Sequence, residues 1–291
     1  MACHLTSRRF SFFGLFGFIY RLTQTRDKIQ FITKRVVEEF AKDGCCYLEL
    51  RSTPKNLPSM SKHDYIQAMI DGIEQVANDY KIIARVIISI DRRHTLEESI
   101  DTINIAHEFK TKSDLIVGID LCGDPSTGEF KETMKPALEH AKNLGFKTTI
   151  HFGEMHEMQH ELMDMLDTNP DRLGHATFVD PDAQARLIKQ KIPIEICMSS
   201  NVLCKTVQDF NQHHFIDYHQ LGHPLSLCTD DIGIFQTSLS NEYRMASDIF
   251  GLSYEELIQI SLDAVEIAFA TEETKNALRC LIQNFKVDHF K

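Results

Sequence analysis

The stretch Lys147-Thr148-Thr149-Ile150-His151-Phe152-Gly153-Glu154 begins β-branched and ends on a histidine and a glutamate, where a strand gives way to a loop. His151 can offer a neutral imidazole to a metal. Glu154, past the flexible Gly153, can curl back over the same point as a proton carrier. A surface loop that happens to hold a histidine is the alternative, and repetition argues against it. Asp230-Asp231 directly follow the apolar run Leu225 to Cys228, and two buried like charges are unfavourable without a cation. His151 and Asp230 together make a nitrogen–oxygen donor pair suited to zinc. Asp231, at the turn, can reach a substrate or the attacking water; a turn with helix-capping acids is the competing reading of the pair. His175 after Gly174 either stabilises charge at such a site or is a hydrogen-bonded core histidine. Gly123, before Asp124-Pro125, removes a side chain where backbone must approach a ligand or the next turn closely. His156 and His160 read as an exposed helix face, and His213-His214 as a solvated polar loop.

These residues need elements that bring them together. Arg26 to Asp43 reads as a helix stopped by Gly44, followed by a strand from Cys46 to Leu50 that exits into Ser52-Thr53-Pro54-Lys55. Ser61 caps a helix to about Tyr80. Strands follow at Ile82 to Ile90, exiting at Asp91-Arg92-Arg93; Leu115 to Leu121, exiting at Gly123-Asp124-Pro125; Lys147 to Phe152; Arg172 to His175; Ile192 to Met198, exiting at Ser199-Ser200-Asn201; and Pro224 to Cys228. Helices separate them, and three more close the chain. Seven near-continuous apolar strands alternating with helices indicate a parallel sheet covered on both faces. An open doubly wound sheet would carry G-x-G-x-x-G or G-x-x-x-x-G-K-[ST] at a helix start, and neither is present. In a closed (β/α)8 barrel the polar exits converge on one rim, so the barrel is the better expectation.

The totals exclude several function classes. The 291 residues carry 31 Lys and Arg against 42 Asp and Glu, a formal charge of -11, which disfavours nucleic acid and anionic membrane as general partners. The 8 cysteines show no C-x-x-C pair and read as reduced, buried thiols of a cytosolic protein. Arg8-Arg9 before the apolar run Phe10 to Tyr20 has a signal-peptide layout, but no small-residue cleavage site follows. Phe12, Phe13, Phe16, Ile19 and Tyr20 recur at helical spacing, so an aromatic helix is expected. Residues 1–10 form a divergent segment and 11–291 one barrel domain.

Six stretches, in order, resemble the adenosine deaminase family of zinc hydrolases, most closely its adenosine deaminase-like branch acting on N6-methyl-AMP. They are Tyr47 to Pro54, Gly118 to Pro125, His151-Phe152-Gly153-Glu154, Arg172-Leu173-Gly174-His175, Ser199-Ser200-Asn201 and Cys228-Thr229-Asp230-Asp231. The resemblance implies a TIM-type barrel of the metal-dependent hydrolase superfamily with one zinc, held in part by His151 and Asp230. It implies that Glu154 protonates nitrogen 1 of the purine, that His175 and Asp231 polarise and orient the attacking water, and that the Gly123 backbone touches the purine. Ser52, Thr53, Pro54 and Lys55, and the exit Asp91-Arg92-Arg93, fall in segments similar to those that hold the sugar phosphate, and the expected preference for a phosphate rests on Lys55, Arg92 and Arg93. The expected reaction is N6-methyl-AMP to IMP plus methylamine, by a monomer in the complete form, with a different metal-dependent amidohydrolase as the rival enzyme. The H-x-E and P-C-x-x-C signature of the other zinc deaminases is absent.

One element of the pattern is not found. The family opens with a strand ending in His-x-His, two further zinc ligands; here Cys3-His4-Leu5 offers one histidine, and position 2 is Ala. The barrel is therefore expected to miss its first strand unit, leaving unpaired edges and two of the four protein ligands. The competing expectation is weak zinc binding and an impaired chain that acts only as a binding or regulatory partner.

Overall fold

The computed structural model describes residues 16–289. Its seven strands form one sheet in sequential order, every neighbouring pair parallel. They are β1 Tyr47–Ser52, β2 Ile83–Asp91, β3 Ile116–Cys122, β4 Lys147–Phe152, β5 Arg172–His175, β6 Ile194–Ile196 and β7 Leu225–Leu227. Helices lie between them, so the chain is an α/β barrel-type fold, as expected. Among the described residues no strand pairs with the outer side of β1 or β7. Of the aromatic helix, residues 10–15 lie outside the described part, and residues 16–22 are helical.

The sheet is strongly curled, and side-chain chemistry shows it. Arg172 on β5 donates to Glu49 on β1 at 2.6 Å. In a flat sheet those strands would stand about 19 Å apart, four spacings of ~4.8 Å. The curl follows from the two faces of the strands. Val86, Ile88 and Ile90 of β2 point outward into the apolar layer shared with the helices, whereas alternate residues of the strands point inward. Inside stand Glu49 and Arg51 of β1, Asp120 of β3, Arg172 of β5 and Glu195 of β6. Buried charges survive only when paired, and here each has an opposite partner on another strand: Arg51 pairs with Asp120 and Glu195, and Arg172 with Glu49 and Glu195. Phe269 closes the lower end. Its ring lies 3.6 Å from the Arg172 guanidinium carbon and its N–H donates to Glu49.

Local rules fix the helices. Ser61, Thr95 and Ser253 each cap a helix through a reciprocal box with Asp64, Glu98 and Glu256. Asp180 caps Pro181–Gln190, with proline in the first turn. β6 and β7 span three residues each, shorter than their apolar runs; after β6 the chain turns helical over Met198–Leu203 and takes Ser199, Ser200 and Asn201 with it.

Candidate active site

The upper ends of β2 to β7 carry the chemistry. His151 sits on β4 opposite Gly174 of β5, so no side chain on the neighbouring strand crowds its ring. Its Nδ1 bonds the Leu121 carbonyl at 2.9 Å and the Asp120 carboxylate at 3.1 Å. Nδ1 is thus tied off, and Nε2 is left for the mouth of the barrel. Burial opposes protonation of the ring, but the Asp120 carboxylate prevails and holds its pKa up at about 10. Asp120 is fully buried and takes a third contact from Ser89 at 2.9 Å. Asp120 was not among the residues expected to serve the site; as an acid at an inward strand position two residues before the exit, it carried a legible signal.

β5 ends in strain. His175 and Ala176 both have positive φ, 66° and 50°, a conformation that costs non-glycine residues energy and persists where the surroundings impose it. Three contacts do so here. Asn201 bonds His175 Nδ1 at 3.1 Å, His214 Nε2 donates to the His175 carbonyl at 2.7 Å, and the Ala176 N–H donates to the Phe152 carbonyl. The His175 Nε2 consequently faces Glu154 at 3.6 Å and Asp230 at 3.9 Å. His213 and His214 are therefore not a solvated loop. They stack with centroids 4.5 Å apart, His213 is fully buried, and burial pushes them down to about 3 and 4, neutral at working pH.

Glu154 follows Gly153, whose φ of 66° lets the chain turn over the mouth while the Gly153 carbonyl accepts from the Phe178 N–H. Asp230, itself at φ 55°, accepts from the Ser200 hydroxyl at 2.7 Å. Burial, then the neighbouring Asp230, push Asp231 up to about 7. One group of metal-capable side chains converges among the described residues: donor atoms of His175, Cys197 and Asp230 all lie within 4.8 Å of one another. Of the expected pair, Asp230 belongs to this group and His151 lies outside it, its ring 5.5 Å from that of His175. Cys197 is buried, as a cysteine in an apolar run is expected to be.

On the β1–β3 side the expected residues separate. Gly123, at φ 105°, leaves room for the Asp91 carboxylate, which a Cβ would approach to 2.8 Å. Asp91 is buried and, despite that burial, held below the usual carboxylate range by Arg93, which it receives through backbone and guanidinium. Arg92 points the other way. It is buried against Glu161 and the Thr127 carbonyl, so it is not free for a phosphate. Ser52 bonds Tyr65, Thr53 contacts the Cys122 sulfur, and Pro54 is buried. Pro54, Lys55, Arg93, His94, Lys62 and Tyr20 help to line an open cavity of 550 Å³. Lys55 lies over the Tyr20 ring, and burial followed by Arg93 lowers its pKa to about 8. Asp124, expected on the rim, instead caps its own turn through Ser126. His156-Glu157-Met158-Gln159-His160 matches the H-E-x-x-H spacing. It lies on a 3-10 helix with both histidines exposed, where positions four apart do not share a face.

A curled parallel sheet whose upper rim gathers two histidines, a glutamate and an aspartate pair defines a barrel hydrolase with acid–base chemistry at its mouth. The chain belongs to the adenosine deaminase family, hydrolytic deaminases of purines: the family model "Adenosine deaminase" matches residues 5–285. It is 38% identical to an N6-mAMP deaminase of Arabidopsis thaliana over 301 residues, covering 95% of this chain and 84% of that protein. With an N6-methyl-AMP deaminase of Danio rerio it shares 40% over 276 residues, 91% of this chain and 79% of that one. The solved structure of Arabidopsis ADAL complexed with IMP superposes with a TM-score of 0.92 at 38% identity, covering 98% of this chain and 86% of that one. No helix among the described residues is long and apolar enough to cross a membrane.

Proposed function

We propose that this chain hydrolyses the 6-amino or 6-alkylamino group from a purine 5'-monophosphate, converting N6-methyl-AMP to IMP and methylamine, with one zinc ion. The observation that carries the reading is His175 Nε2 standing 3.6 Å from Glu154 and 3.9 Å from Asp230 on one rim, beside His151 and Asp231. The names of the relatives supply the substrate, and the bound IMP of one of them is the product expected here.

The donor set fits zinc: His151 has Nδ1 tied off and Nε2 free, and Asp230 is oriented by Ser200. Held by His151 and Asp230, zinc would supply a hydroxide nucleophile near neutral pH by lowering the pKa of water to about 7. The protein does the rest. Glu154 reaches over the mouth to deliver a proton to purine nitrogen 1, which makes carbon 6 a better acceptor. His175 Nε2, pinned by Asn201 and His214, orients the attacking water. Asp231, whose raised pKa lies near working pH, accepts a proton from it. The water oxygen bonds to carbon 6, the carbon–nitrogen bond breaks, and the amine leaves with a proton passed back through these groups. Gly123 provides a bare stretch of backbone for the purine to pack on. Lys55 and Arg93 provide the positive charge at the cavity for a 5'-phosphate, with Ser52, Thr53 and Asp91 positioning that wall.

We infer also that residues 11–291 act as one domain and that the protein works as a cytosolic monomer. Its described cysteines are all free thiols, which supports a reducing compartment. The test is product analysis: N6-methyl-AMP, AMP, adenosine and simple amides offered to the zinc-loaded protein. IMP and methylamine from the first, with little turnover of adenosine, is expected; preference for the nucleoside removes the phosphate assignment, and amide hydrolysis alone removes the deaminase assignment.

A further inference from the structure

We propose that His94 holds the 5'-phosphate of the substrate as a neutral hydrogen-bond donor, and that this ring sets part of the preference for a nucleotide over a nucleoside. The inference rests on the proposed function and deepens it by naming a residue that selects the substrate. β2 ends at Asp91, and the next three residues turn tightly, closed by the His94 N–H donating to the Asp91 carbonyl at 2.8 Å. Thr95 then caps the helix Leu96–Lys110. Turn and cap together hold the half-buried His94 ring back against the strand end, where its Nδ1 accepts from the Asp91 N–H at 3.3 Å. A neutral imidazole carries one proton, and the nitrogen that accepts a hydrogen bond cannot hold it. The proton is therefore on Nε2. Among the described residues Nε2 has no partner, yet it is not sealed from solvent, and His94 lines the 550 Å³ cavity with Lys55 and Arg93.

The other groups at this cavity leave a place for such a donor. Space alone selects little, because cavities of roughly 300–1,000 Å³ take whole small ligands. Lys62 is already engaged by the Asp101 carboxylate at 2.8 Å and the Glu98 carbonyl at 3.1 Å. Arg93 gives two of its N–H groups to Asp91. Lys55, lowered to about 8 by burial and then by Arg93, begins to lose its charge just above neutrality. A phosphate monoester brings three strong acceptor oxygens, and a third donor beside Lys55 and Arg93 gives each oxygen its own. Burial holds the His94 pKa below the ordinary histidine value, although Asp91 pulls the other way, so the ring meets the phosphate as an N–H donor and not as a cation. A histidine that only braces the turn through Nδ1 would give the same local structure, so the decisive observable is the share of binding that depends on the phosphate.

The experiment compares the full 291-residue chain with His94→Asn and His94→Gln, all zinc-loaded, by calorimetric binding of IMP and inosine and by kinetics on N6-methyl-AMP. Asparagine keeps an acceptor for the Asp91 N–H but is too short to reach the phosphate, whereas glutamine restores an N–H donor at the reach of Nε2. His94→Asn should weaken IMP binding and raise KM for the monophosphate by about 10- to 100-fold, the worth of a hydrogen bond to a charged group, with inosine binding and kcat unchanged. His94→Gln should recover most of the loss. IMP bound as tightly by His94→Asn as by wild type, IMP and inosine weakened alike, or wild type binding inosine as tightly as IMP would each overturn the assignment. Turnover is scored separately. Wild type that binds IMP through His94 but forms none from N6-methyl-AMP leaves the assignment standing and removes the deaminase reading, whereas IMP formed at wild-type KM by His94→Asn does the reverse.

Discussion

Asp231→Asn should make the metal-free protein more stable while disabling it. Asp231 is raised from the ordinary aspartate value to about 7, by burial and then by Asp230. A carboxyl with a raised folded pKa keeps in the folded state a proton the unfolded chain has already released. Its contribution to stability is full below the unfolded value near 3.9 and is lost as pH rises through about 7. Roughly three pKa units at ~1.4 kcal/mol each bound the loss at about 4 kcal/mol by pH 8. Asparagine removes the charge and keeps the shape. The backbone role is preserved, because the Asp231 carbonyl rather than its side chain receives the Ile234 and Phe235 N–H groups at the start of Ile232–Phe235. Urea denaturation in chelator at pH 5 and pH 8 would show the variant gaining over wild type mainly at pH 8, by roughly 1–4 kcal/mol. Turnover should fall about 10²- to 10⁴-fold, the usual worth of a proton-transferring group. Equal stability of the two proteins at pH 8 would refute the argument that a repelled, buried carboxylate is stored at this site.

Three further outcomes follow from the same geometry. Asp120→Asn leaves His151 without its carboxylate and Arg51 with only Glu195, so zinc affinity should drop about 10- to 100-fold and stability about 1–3 kcal/mol, measured by competition and by urea; wild-type affinity would contradict the anchoring role. Glu154→Gln should lower kcat roughly 10²- to 10⁴-fold with metal content unchanged, since the residue acts on the purine; loss of metal instead would make it a ligand. Lys55→Ala should raise KM for the monophosphate and leave that for the nucleoside nearly untouched, and an equal change for both would place the phosphate elsewhere.

Much of the architecture was legible because the chain writes it twice. Val86, Ile88 and Ile90 reveal an outward apolar face, and the exits at Asp91, Gly123, His151, His175 and Asp230 recur at each strand end. The seven strands and their order follow from that. What escaped depends on partners distant in sequence. Arg51, Arg172 and Glu195 look like ordinary strand charges until the curl brings β1 against β5 and β6. Arg92 and Arg93 are adjacent and identical in type, yet alternation across the strand exit buries one against Glu161 and leaves the other at the cavity. His213-His214 sits among polar neighbours, and only the approach of the His175 carbonyl explains its burial.

The central claim is that the rim at His151, Glu154, His175 and Asp230 removes the amine from a purine nucleotide. Incubation of the zinc-loaded 291-residue protein with N6-methyl-AMP, followed by chromatographic quantification of IMP and methylamine beside His151→Ala, tests it most directly. The account predicts catalytic formation of both products in equal amounts by the wild-type chain and none by the variant. Wild-type protein that binds zinc yet forms no IMP, or a His151→Ala variant that forms it as fast, would contradict it.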